Sequence, residues 1–394
     1  MTPRSVPAVP SFTGDALPYR GGDPWADYRS PGADGFPFDR LTDLADRRLG
    51  GGVVAANDEF FAEREHLLTP GPAVFDPERF GPKGKVMDGW ETRRRRGTGP
   101  GRPHPADGDH DWALIRLGAP GIVRGVVVDT AHFRGNHPSA VSVEATAVDG
   151  TPAPEELLAG DTAWTTLVPR TPVGGHAANG FAVGVERRFT HLRLRQYPDG
   201  GVARLRVYGE VVPDPVWLGA LGTFDLVAQE FGGRVEDASD LFYSPADNTI
   251  RPGRARRMDE GWETRRRRDR GHDWIRYRLV ERAEIRAVEI DTAYLKGNSA
   301  GWAALFVRDG GHGTDGVGGT EGSNGAESGW TEILPATRLQ PDTVHRFVLD
   351  RPVTGDRVRL EIHPDGGISR LRVLGTLTAD ATIRLHNRHH FLRP

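Results

Sequence analysis

The chain writes one improbable phrase twice. Gly-Trp-Glu-Thr-Arg-Arg-Arg-Arg stands at residues 89–96 and again at 261–268. The repetition continues downstream in the same order. His110-Asp111-Trp112 returns as His272-Asp273-Trp274, Asp129-Thr130-Ala131 as Asp291-Thr292-Ala293, and Gly135-Asn136 as Gly297-Asn298, each displaced by 162 positions. Pro198-Asp199-Gly200-Gly201 matches Pro364-Asp365-Gly366-Gly367, and residues 55–62 loosely echo 237–244. A period of roughly 170 residues is too long for a solenoid unit and long enough for each copy to own a core. The chain is therefore read as a tandem duplication. Its parts are a Pro/Gly-rich extension at 1–37, a first repeat at 38–212, a second at 213–378 and a tail at 379–394.

Within each copy the local pattern is strand. Residues 115–130 cluster β-branched side chains around a Gly-Ala-Pro-Gly turn, and 276–292 form the corresponding run. Residues 191–211 read as two alternating strands joined by Pro-Asp-Gly-Gly, and 357–377 repeat that hairpin. Many short strands at regular spacing predict an all-β protein, two jelly-roll β-sandwiches in tandem.

Charge excludes one obvious role for the arginine runs. The 394 residues carry 51 Lys and Arg against 54 Asp and Glu, a net charge of −3, whereas a phosphate-backbone binder is usually basic. With no cysteine, disulfides and thiolate chemistry are excluded. No apolar run reaches the ~18–20 residues of a membrane span, and the first residues lack the apolar stretch of a secretion signal. The expectation is a cytoplasmic protein with neither a nucleic-acid nor a membrane partner. The low-complexity stretch 309–329 is read as a surface loop, and His389 and His390 near the chain end are not expected to hold a metal.

The shared polar residues are the candidates for chemistry. If 90–96 is a strand, Trp90, Thr92, Arg94 and Arg96 face one way and Glu91, Arg93 and Arg95 the other. Glu91 would stay ionised beside guanidiniums that suit a carboxylate ligand; alternatively these charges form a salt-bridge lattice at the domain seam. The same reading holds for Glu263, Arg265 and Arg267. His110-Asp111 and His272-Asp273 open the next strand, where a His beside a carboxylate makes an acid/base pair or merely packs and caps. Trp112 is read as core. Asp129 and Asn136, with Asp291 and Asn298, flank the end of a buried strand. Between them His132 is replaced by Tyr294 in the second copy, so the copies are chemically unequal. No established metal spacing is present; a carboxylate/imidazole site for Mn or Zn is neither required nor ruled out.

These phrases together, from residues 55–62 through 85–96, 109–112, 127–138 and 197–209 and again through the second set, resemble the allantoicase family over about residues 38–377. The resemblance implies galactose-binding, discoidin-like jelly rolls and the hydrolysis of allantoate to ureidoglycolate and urea, a step in purine degradation. Such a reaction breaks the bond from the central carbon to a ureido nitrogen. It needs a cation for the substrate carboxylate, an acid for the departing nitrogen and a base for water. On this reading Arg93 or Arg95 holds the carboxylate, Glu91 or Asp111 is the base and His110 or His132 the acid. Asp129 and Asn136 orient the ureido groups, and Glu263, Arg265, His272, Asp273, Asp291 and Asn298 are the second copy's substrate-binding set. Catalysis is expected to centre on the first copy, in a homo-oligomer. The rival reading is a non-catalytic sugar- or small-ligand-binding double domain, against which the charged character of the shared phrases counts.

Overall fold

The computed structural model of the protein describes residues 15–32, 35–310 and 329–392. Most of the Gly-rich stretch at 309–329 and the first 14 residues lie outside the described ones. Two compact units emerge, Met1–Val212 with Leu392–Pro394, and Pro213–Phe391. Each has its own hydrophobic core. In the first unit Trp90, Ile115, Val126, Val143, Leu192, Leu205 and Val207 are buried together. The second unit packs Trp262, Ile275, Ile290, Leu305, Leu360 and Val373 in the same manner.

One long strand organises each unit. In the first, Asp111–Asp129 runs without interruption through the segment expected to turn. Its first part lies between Arg188–Tyr197 and Gly52–Ala56, and its second between Arg204–Val211 and Ala178–Ala182. Gly118, Pro120 and Gly121 mark the change of partners, not a hairpin. The Gly118 and Ala119 N–H groups both donate to the Leu44 carbonyl, at 2.8 and 3.2 Å. A Cβ on Gly121 would stand 2.1 Å from the Glu210 carbonyl oxygen. Glycine is needed there because another backbone passes too close for a side chain.

The expected hairpins are corrected in the same way. Arg188–Tyr197 and Arg204–Val211 do not pair with each other; both pair antiparallel with Asp111–Asp129. The segment between them crosses the end of the long strand, and Gly201–Val202 pairs instead with Trp90–Glu91. In the second unit Asp273–Asp291 is likewise flanked by Val344–His363 and Arg370–Leu377, while Gly367–Ile368 pairs with Trp262–Glu263. Alternation and turn residues announce two strands and a reversal, but they do not say which third strand lies between them.

This crossing segment builds the end of the sandwich where the repeated phrases gather. The repeated phrase itself is strand for only two residues, Trp90–Glu91 and Trp262–Glu263; the arginines that follow leave the ladder. Trp112 and Trp274 are half-buried and stand outside the core clusters. The N-terminal extension is not loose where it is described. Trp25 and Tyr28 pack with Phe75 on Ala73, Met87, Ala131, Phe133 and Ala203. Near the other end, Ala379–Phe391 forms a helix that buries Ala381, Leu385 and His389, spaced to share one face.

Gly200 is where the crossing segment passes closest over other main chain in left-handed backbone. Its φ is +144°, and a Cβ there would stand 2.6 Å from the Pro138 nitrogen. Gly200→Ala combines backbone strain with a collision against main chain, so a loss of about 3 kcal/mol is expected in equilibrium denaturation. A loss under about 1 kcal/mol would mean that this crossing is pliant.

Candidate active site

The arginine runs are built into the fold by alternate residues. The buried Trp90 donates its indole N–H to the Asp58 carbonyl at 2.7 Å, which fixes the Asp58 loop against the phrase. Thr92 is buried, and its hydroxyl meets Gln196 Nε2 at 3.1 Å and the Gly200 N–H at 3.3 Å. Arg93 then donates its backbone N–H to Asp58 Oδ1 at 3.1 Å, sets Nε 3.3 Å from Asp58 Oδ2, and lays its guanidinium over Phe60. Arg95 donates its backbone N–H to Asp199 at 2.7 Å, and its Nε and Nη2 reach Asp111 Oδ1 at 3.0 and 2.6 Å. Asn57 adds a third hydrogen bond to that same oxygen at 2.7 Å.

The second unit repeats this clamp. Arg265 pairs with Asp240 at 2.7 Å and Arg267 with Asp273 at 3.0 Å. Ser239 stands where Asn57 does and donates to Asp273 at 2.9 Å. The charges that the sequence assigns to ligand or lattice are thus taken up by aspartates of their own unit. Asp111 and Asp273 are buried beneath those pairs and are not hydrogen-bonded to His110 or His272 among the described residues.

A different pair comes together at the surface. Glu91, next to the core Trp90, receives a hydrogen bond from Asn136 Nδ2 at 2.8 Å. Burial pushes the Glu91 carboxyl above the usual range, against the opposing pull of Asn136 and of the Arg94 charge. Asn136 is held in turn, because its carbonyl accepts the Gly201 N–H at 2.8 Å, beside the strand pair that carries Glu91. A half-buried carboxylate with a raised proton affinity, one amide partner and a nearby cation can accept a proton from water.

The second copy does not close this pair. Asn298 Nδ2 lies 3.3 Å from Met258 Sδ, and among the described residues no hydrogen bond or ion pair holds the Glu263 carboxylate. His272 Nε2 sits 3.3 Å from Glu361, which also pairs with Arg359 at 2.7 Å, whereas His110 faces the Tyr197 ring with Nδ1 2.9 Å from the Gly108 carbonyl.

Asp129 and Asp291 serve turns. Each accepts from the backbone N–H two residues on, Ala131 or Ala293, at 2.8 Å. Asp129 also takes the Tyr28 hydroxyl at 3.0 Å, and Asp291 has Arg254 at 3.4 Å. Burial raises the Asp129 carboxyl.

His132 is buried, in left-handed backbone at φ 67°, with its ring stacked on Phe75 and edge-on to Trp25. Its pKa is lowered by burial, against the opposing pull of the Ala73 backbone. Its N–H donates to Nδ1 of His176 at 2.8 Å, and His176, fully enclosed, is driven down to about 4, first by burial and then by Arg134. Tyr294 repeats the left-handed backbone but is exposed, and its N–H is met by Asp342 at 2.7 Å.

Among the described residues no group of three or more His, Asp or Glu side chains is arranged to hold a metal ion. Asn57, Asp58 and His176 were missed by sequence reasoning. The first two sit in the loosely repeated stretch at 55–62, where Ser239-Asp240 is the matching pair, so a signal existed. His176 has none, since its partner position carries Asp342 in an unrelated local sequence.

The comparisons with known proteins follow the same two units. The allantoicase repeat matches residues 42–212 and 224–378. A probable allantoicase of Streptomyces coelicolor is 67% identical over 393 residues, covering 100% of each chain. One from Nocardia farcinica is 49% identical over 341 residues, covering 86% of this chain and 95% of its own. Among solved structures, the allantoicase of Saccharomyces cerevisiae superposes with a TM-score of 0.69 at 31% identity, over 85% of this chain and 93% of that one.

Two outcomes follow from this geometry. Asp111→Ala leaves Arg95 and Asn57 facing a buried hole, and about 3 kcal/mol of stability should be lost. Denaturation showing less than about 1 kcal/mol would make the clamp incidental. The second outcome concerns acid. An unfolded histidine takes a proton near 6.5 and folded His176 only near 4, so the unfolded chain binds more protons between those values. Stability should therefore fall as pH drops through that window, with buried His191, also near 4, adding the same sign. His176→Asn should flatten the slope measured by chemical denaturation at pH 7, 5.5 and 4.5; an unchanged slope refutes the assignment.

Proposed function

The chain belongs to the allantoicase family and hydrolyses allantoate to ureidoglycolate and urea, and we propose that its reacting centre lies in the first unit at Glu91 and Asn136. The observation that carries this assignment is the 2.8 Å contact between a carboxylate of raised pKa and an amide fixed by the crossing segment. In the reaction, the water oxygen forms a bond to the central carbon of allantoate while the bond from that carbon to one ureido nitrogen breaks. One proton must leave the water and one must reach the departing nitrogen, so that urea leaves neutral.

Glu91 is the base in this proposal. Asn136 holds one carboxylate oxygen and leaves the other for water. His110 is the better acid of the two sequence candidates. The Gly108 carbonyl can only accept, so Nδ1 carries a hydrogen, and the acid is the imidazolium form, which gives its second proton from Nε2 to the departing nitrogen. His132 is enclosed and kept neutral, which suits packing better than proton delivery. Asp111, bound by Arg95 and Asn57, is assigned to holding the site's frame, and Asp129 to its turn. Glu263, Arg265, His272, Asp273, Asp291 and Asn298 are read as a framework that keeps the older pattern without the closed Glu–Asn pair. A cytoplasmic location is part of the proposal, resting on the cysteine-free composition.

Urea and ureidoglycolate are measured from purified chain and allantoate, before and after dialysis against a strong chelator, which reads any metal requirement. Glu91→Gln is expected to lower kcat by about 1,000-fold in a folded protein. With Glu91 as base, activity rises with pH through its raised pKa. Asn136→Ala removes the hydrogen bond that favours the ionised form, so the acid limb of kcat/KM should move to higher pH. A Glu91→Gln variant with full turnover, or an acid limb that stays put, removes Glu91 from the mechanism.

A further inference from the structure

Four successive guanidiniums exceed what one small anion needs, and the fold accounts for two of them. Arg93 is spent on Asp58 and the Phe60 ring, and Arg95 on Asp111. Arg94 stands between them, exposed, with no hydrogen bond or ion pair among the described residues. The backbone on either side is pinned, because the Arg93 N–H is held by Asp58 and the Arg95 N–H by Asp199, while Thr92 is buried one residue earlier. The Arg94 main chain is therefore fixed while its side chain stays exposed.

We propose that Arg94 is the residue that binds the carboxylate of the substrate, presented on a segment that its clamped neighbours hold rigid. The inference rests on the reading of Glu91 and Asn136 as the reacting centre for allantoate. A guanidinium is a planar fork that takes a carboxylate through two hydrogen bonds, and fixing its backbone beforehand reduces the ordering cost of binding. Its charge already acts on Glu91, so it reaches the neighbourhood of the proposed base. Arg96 lies one step past the clamp, where the chain turns away and the Gly97 N–H bonds to the Pro103 carbonyl. The second unit repeats the arrangement, with Arg266 exposed between Arg265 on Asp240 and Arg267 on Asp273. Alternation thus gives the run its purpose: the odd-numbered arginines hold the segment and the even-numbered one between them faces outward. The sequence-level choice of Arg93 or Arg95 for the substrate carboxylate is replaced by its neighbour.

The test compares two substrates on the full chain, allantoate and its carboxamide, by urea release. Wild type should prefer the acid, and Arg94→Ala should lower kcat/KM for allantoate by about 100-fold, mainly through KM, while leaving the carboxamide nearly unchanged. Arg94→Lys keeps the charge without the fork and should retain part of the preference. Arg96→Ala should stay within about twofold of wild type. Losing Arg94 also removes a cation that favours ionised Glu91, so the acid limb of kcat/KM should move to higher pH. An Arg94→Ala protein that keeps the wild-type preference for acid over carboxamide overturns the proposal, as does a wild type that turns over both equally. A wild type that releases no urea from allantoate, or a folded Glu91→Gln variant with full turnover, overturns instead the reading beneath it.

Discussion

Asp111 accepts two hydrogen bonds from the Arg95 guanidinium and one from Asn57 while nearly out of reach of water, and the layout of this end of the first unit depends on it. Removing a carboxylate from water costs several kcal/mol, so pairs of this kind add little net stability even when well bonded. Their effect here is positional. Asp111 opens the long central strand, so its pairing ties the arginine segment to the first residue of the element on which the sheet is built. Asp58 ties the other end through Trp90 and Arg93. Glu91 lies within that frame, and its carboxylate is placed by backbone whose course is already fixed.

The duplication, the β class and the grouping of polar residues were legible because each rests on local pattern: a repeated phrase, period-two alternation and turn residues. What each charge does was not. Glu91, Arg93 and Arg95 look alike on one face of a presumed strand, yet the strand ends at Glu91 and the arginines follow a path set by Asp58, Asp111 and Asp199. Two of those aspartates come from residues far away in sequence, and no periodicity links them to the arginine run. The hairpins failed for a related reason. Residues 191–211 carry the alternation and the Pro-Asp-Gly-Gly reversal of a hairpin, but Asp111–Asp129 lies between the two strands and takes the ladder of both.

The two copies show how one frame carries different chemistry. The clamp, the core Trp and the aspartate turn are kept in both, each holding backbone in place. The differences sit one layer outward. His132 lies enclosed by Phe75 and Trp25, whereas Tyr294 in the same left-handed backbone is exposed. The backbone acceptor opposite is a neutral imidazole in one unit and a carboxylate in the other, His176 and Asp342. Both satisfy the same N–H, but only the imidazole loses that capacity when protonated at Nδ1.

That distinction bears on which copy keeps a proton-transfer site. Glu91 has its proton affinity set by burial against Asn136 and Arg94, a balance in which each contribution belongs to a named neighbour. Glu263 keeps the residue without the amide partner, because Asn298 turns to Met258. A carboxylate with a closed environment can have its proton affinity raised toward neutrality, and only Glu91 has that environment closed by an amide among the described residues. The duplicated frame therefore preserves position in both units, while the acid–base balance depends on side chains that the frame does not fix, and those are the ones in which the copies have parted.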